Sequence, residues 1–175
     1  MMNLIEKFFS KDRQNKSQLR QNFRTHFYSQ PEHAWVLETG AVALFDELFS
    51  RLPAGILEAM MSKYPMCFVP HEKLSTKTSG LTGMNTIVIF PAFKKLLLSS
   101  KRSGLAYLAH ELAFVLYELE GENNDPLMAE VEADKFVCDL GLMNELEELL
   151  LMLDETIEKR LRLTYLTARH FAQES

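Results

Sequence analysis

The stretch LAYLAHELAFVLYELE, residues 105–120, is apolar around nearly its whole helical circumference, yet it sets His110 and Glu111 side by side at its centre. A helix with no polar stripe is one that its neighbours enclose. A buried helix keeps such a pair for a metal, as the remains of a metal site, or as a structural pair. The rest of the chain has to decide between these.

Composition narrows the classes first. With 175 residues, 47% hydrophobic and 25% charged, the chain is long enough for one domain with a real core and short for two. We read one domain over residues 1–175. The net charge of −5 gives no global basic field, although residues 11–24 (KDRQNKSQLRQNFR) are locally basic, so no nucleic-acid partner is expected. Cys67 and Cys138 both fall in core-like segments, which points to free thiols and a cytoplasmic setting. No apolar run reaches about 18 residues uninterrupted by charge, so no transmembrane segment is expected.

Outward from the central stretch, punctuation marks the elements. Residues 1–30 read as a helical extension: MNLIEKFF (2–9) is amphipathic, with Met2, Ile5, Phe8 and Phe9 on one face, and the basic run follows. That face suits docking on the chain's own body, on a partner, or weakly and peripherally on a membrane. Residues 39–52 form a helix that stops near Pro53, and residues 54–64 form another. MCFVP (66–70) and NTIVIF (85–90) read as neighbouring strands, separated by a Ser, Thr and Gly-rich loop. Pro91 opens a further helix ahead of the one holding His110. Asp125 is placed to cap a helix whose first residue is Pro126. A last long helix over about 144–170 puts Leu146, Leu150, Leu153, Ile157 and Leu161 on one face, its charges forming a solvated surface.

The candidate chemistry sits on two adjacent helices. Glu130 and Asp134 are four residues apart and share a helix face. The twenty residues from His110 to Glu130 allow one helix to end, a loop to reverse and a second helix to return its carboxylates to the first. A metal-bound histidine gives its other ring N–H to a carboxylate, and a carboxylate one turn along from a metal-ligating glutamate is placed to receive it. The structural alternative is a buried His-Glu pair, with Glu130 and Asp134 on a solvated face beside Glu132 and Lys135.

In these motifs the chain resembles the gluzincin metallopeptidases. His110 and Glu111 match the start of H-E-x-x-H, and Glu130-Val131-Glu132-Ala133-Asp134 matches E-x-x-A-D. NTIVIF is similar to that group's edge strand, and the resemblance spans about residues 80–142. It implies a zincin-like α+β fold, mostly helical, with a small sheet whose edge strand lies beside the helix carrying His110 and Glu111. It also implies His110 and Glu130 as zinc ligands, Glu111 as catalytic base and Asp134 as the carboxylate orienting His110. Phe114 departs from the pattern where the second histidine should stand, and a phenyl ring cannot ligate. Two ligands fall short of the three usual at a catalytic zinc.

The expectation is therefore a degenerate member without a cofactor, a pseudo-peptidase that binds a protein or peptide, for instance by strand addition at the sheet edge. The alternative is an atypical zinc peptidase that recruits a replacement ligand, with His71 the candidate. His26, His33 and His170 are expected at the surface.

Overall fold

The computed structural model describes residues 16–73, 83–99, 101–120 and 125–173. It is a mostly helical α+β structure, and its contacts gather into two compact units, 1–101 and 102–175, where the sequence reads as one domain. The amphipathic segment 2–9 lies outside the described residues. No described helix is long and apolar enough to cross a membrane.

In the first unit, α1 (Lys16–Ser29), a short α2 (Ala34–Glu38), α3 (Val42–Arg51) and α4 (Ala54–Ser62) precede β1 (Met66–Pro70), and β2 (Asn85–Ile89) leads into α5 (Pro91–Ser99). The strands pair in parallel, with Met66 opposite Asn85 and Pro70 opposite Ile89. A parallel pair needs a connection of about a dozen residues or more, which the loop expected between these strands provides. All five β1 residues are buried, so it reads as a continuous apolar run.

Residues 16–29 are helical as expected, but they belong to the core and are no appendage. Phe23 and Phe27 are buried against Phe45, Phe49 and Phe68 in edge-on and tilted ring contacts. The basic residues at this end also have structural work. Arg20 donates to the carbonyls of Phe49 and Leu52, capping the C-terminal end of α3, and Arg24 pairs with Asp46 at 3.1 Å.

His33 corrects a surface expectation, because it is fully buried. Its Nε2 accepts from the Phe68 N–H at 3.1 Å, so Nδ1 carries the proton and donates to the Phe27 carbonyl at 2.8 Å. The ring stacks on Phe27 and joins the end of α1 to β1 as a neutral group. Burial, the largest influence, pushes its pKa down to about 4.

The second unit holds α6 (Lys101–Glu120), α7 (Pro126–Asp139), α8 (Met143–Met152) and α9 (Ile157–Gln173); the first residue of α6 closes the preceding unit. Asp125 caps α7 as expected, accepting from the Leu127 N–H at 3.0 Å, with Pro126 in the first turn. The helix ends at Gly141, whose φ of 74° permits bonds from Leu142 N to Val137 O and from Gly141 N to Cys138 O.

The single long helix expected over 144–170 is two. Thr156 accepts from the Lys159 N–H as the N-cap of α9, and Lys159 Nζ returns to the Leu153 carbonyl at the end of α8. The restart resets the helical phase. Leu146 and Leu150 are buried on α8, but Ile157 and Leu161 are 79% and 45% exposed. The inward face of α9 carries Lys159, Arg162 and Leu166 instead.

Candidate functional site

Within the second unit, α6 and α7 bring together the residues that the two motifs single out. His110 and Asp134 are buried, Asp134 completely, and Glu130 keeps 22% of its side chain exposed. His110 Nε2 stands 3.0 Å from Glu130 Oε2, and its Nδ1 stands 3.0 Å from Asp134 Oδ1. The alternative of a solvated face for Glu130 and Asp134 does not hold, although Glu132 and Lys135 do pair at 3.9 Å beside them.

The residue that organises the cluster is Arg162 of α9, which sequence reasoning misses. Its Nε and Nη2 donate to Asp134 Oδ2 and Oδ1 at 2.8 and 2.7 Å, a two-pronged match between guanidinium and carboxylate. Its Nη1 lies 2.7 Å from Glu130 Oε2 and 3.8 Å from Glu158 Oε1. Phe114 is half-buried on α6. One signal was available. Arg162 is four residues before the apolar Leu166 and so shares its face, though 52 positions separate it from His110.

The protonation state follows from the contacts. Each nitrogen of His110 lies 3.0 Å from a carboxylate oxygen, a separation that is attractive only if both carry protons. The 3.3 Å approach of Arg162 Nη2 to Nδ1 is then a close passage between two cations that share Asp134. Burial opposes the charge on His110, but Asp134 and Glu130 outweigh it and push the pKa up to about 9. Burial likewise opposes charge on Glu130 and Asp134, yet His110 and Arg162 hold both below the usual carboxylate range. Glu130 Oε2 is enclosed without an aligned hydrogen bond, so proximity to two cations holds it. Glu111 is partly exposed; burial raises its pKa first, with Glu130 adding and His110 and Arg162 opposing.

Zinc does not fit the cluster as it stands. The two nitrogens of His110 face opposite carboxylates, so only Nε2 and Glu130 are directed at a common point. His110 Nε2 already faces Glu130 Oε2 at 3.0 Å, and the Arg162 cation lies 2.7 Å from the same oxygen, where a metal would have to sit. Among the described residues, no three His, Cys, Asp or Glu side chains form a metal-holding group. The replacement candidate His71 is exposed in the first unit, stacked on Phe90 with centroids 5.3 Å apart. His26 and His170 are exposed as expected, and Cys67 and Cys138 are buried free thiols. Glu130 also borders an open groove of about 440 Å³, lined by Asp125, Pro126, Leu127, Ile157, Glu158 and Leu161.

Comparison of the chain with family models, curated proteins and solved structures finds no match.

Proposed function

We propose that this chain is a zincin-like pseudo-peptidase in which an arginine takes the place of the metal, and that it acts by binding a protein or peptide. One observation carries the reading: His110, Glu130 and Asp134 meet around the guanidinium of Arg162. A metallopeptidase needs a cation between its histidine and glutamate, to fix the ligands and to activate water. Arg162 satisfies the first need and cannot meet the second, since a guanidinium has no open coordination position and does not lose its proton in a protein. Glu111 then has no metal-bound water to act on as a base. Phe114, where the motif calls for a ligand, agrees with this assignment.

The test is direct. Purified protein dialysed against micromolar zinc should retain far less than one zinc per chain, and should leave casein and peptide libraries uncut. One zinc per chain, or proteolysis that a chelator stops, would overturn the proposal in favour of an active enzyme with a recruited ligand.

A further inference from the structure

We propose that the groove between the first turns of α7 and α9 is the binding site, and that its occupant is a protein segment carrying a Lys or Arg between aliphatic side chains. This deepens the pseudo-peptidase reading and rests on it for the idea that the chain works by binding.

The groove has two kinds of surface. Ile157 and Leu161 lie one turn apart on α9 and are 79% and 45% exposed, with Leu127 and Pro126 facing them from α7. Such side chains are costly to leave in water when a continuous chain could have turned them inward. The inward positions of α9 are held by Lys159, Arg162 and Leu166, so the aliphatic pair is displaced outward by the residues that cap α8 and fill the charge cluster.

The second surface is acidic. Asp125, Glu130 and Glu158 line the same groove. Glu130 turns Oε2 inward to Arg162 and His110, and because that oxygen is enclosed, its 22% exposure belongs to the rest of the side chain at the groove. Glu158 is 53% exposed and meets Arg162 only at 3.8 Å, beyond hydrogen-bond length, so its carboxylate also faces solvent at the groove. The cations on the first turns of α9 already have partners: Arg162 pairs with Asp134, Glu130 and, at 3.8 Å, Glu158, Lys159 with the Leu153 carbonyl and Glu155, and Arg160 with Glu155. A cationic side chain with aliphatic neighbours complements both surfaces, whereas an acidic segment would meet the exposed carboxylates of Asp125 and Glu158. At about 440 Å³ the groove takes a few side chains, the scale of a short linear segment rather than a folded domain's face.

The full-length protein is titrated against a fluorescein-labelled 14-residue peptide of alternating Leu and Lys blocks, read by fluorescence anisotropy. Companion peptides carry Glu for Lys or Ser for Leu. The parent should bind the Leu/Lys peptide at least tenfold more tightly than either companion, and more weakly at 0.5 M salt. Glu158→Lys and Leu161→Asp, each confirmed to be folded by circular dichroism, should each weaken binding at least tenfold. Glu118→Lys makes the same charge change on the exposed end of α6 and should alter binding less than about twofold.

Equal losses in Glu158→Lys and Glu118→Lys would mean attraction to net charge alone, and would overturn the site. So would no binding at hundreds of micromolar, or a concentration-dependent dimer that Leu161→Asp disperses, which would make a second copy the occupant. These outcomes are separable from the parent proposal: a zinc-free, inactive protein that ignores every peptide loses the groove alone, while stoichiometric zinc defeats the pseudo-peptidase reading whatever the groove binds.

Discussion

Arg162 decides the character of the cluster, and its worth is a matter of what remains when it goes. With Arg162 in place, two cations face two carboxylates, and their burial is compensated. Arg162→Met would leave Asp134, fully enclosed, with only His110 as a counter-charge, and Glu130 in the same position. Removing one partner from a buried ion network costs about 3–5 kcal/mol, because the survivors stay desolvated. Denaturant unfolding of Arg162→Met should show a loss of that size. Replacing all four charged groups by apolar side chains of similar volume should restore much of it. A loss below about 1 kcal/mol for Arg162→Met would mean that the carboxylates do not depend on the guanidinium. Neither the histidine nor the two acids betray this dependence by themselves: a lone arginine in the RLRL run reads as a solvated charge until the phase of its helix is known.

At the scale of elements, the boundaries marked by local chemistry were legible and those hidden in continuous periodicity were not. Pro53, Pro91 and the Asp125-Pro126 pair act within a few residues of themselves, so their effect on α3, α5 and α7 can be read without tertiary knowledge. The parallel pairing of β1 with β2 suits their apolar content and the length between them. The break between α8 and α9 was lost because Leu146, Leu150, Leu153, Ile157 and Leu161 keep helical spacing across it. What the spacing conceals is Thr156, a capping residue with Glu155 and Asp154 before it, where a chain can stop and restart at little cost. Thr156→Ala removes the acceptor for the Lys159 N–H and should destabilise the protein by about 1 kcal/mol in a denaturant titration, whereas Thr156→Ser should stay within a few tenths. Equal effects from the two would show that the hydroxyl does not cap the helix. The candidate site was half legible for the same reason: His110, Glu130 and Asp134 sit on helices whose phase is right, and Arg162 sits on the one whose phase was misread.

Over the whole molecule, two buried histidines with opposite charge states give the two units opposite responses to pH. His33 in the first unit is neutral and its pKa is lowered to about 4, so between pH 6.5 and 4 the unfolded chain binds a proton that the folded chain refuses. Its contribution is complete above pH 6.5 and is lost as the pH falls toward 4. His110 in the second unit is charged, with its pKa raised to about 9, so its contribution is complete below pH 6.5 and is lost as the pH rises through 9. Each shift of roughly 2.5 units corresponds to about 3 kcal/mol at most. Glu130 and Asp134 titrate below the ordinary carboxylate range, and Glu111, raised by burial, belongs with His110 to the second unit. Trp35, the only tryptophan, reports the first unit: it is buried and donates to the carbonyl of Phe68, the residue whose N–H His33 accepts. The urea midpoint followed by Trp35 emission should therefore fall from pH 7 to pH 5. Proton NMR should show one histidine ring that does not titrate above pH 5 and another that titrates near pH 9. An emission midpoint that is flat over that interval would show that His33 takes up its proton as readily folded as unfolded, and a ring assigned to His110 that titrates near 6.5 would remove the imidazolium from the cluster, leaving Arg162 its only cation.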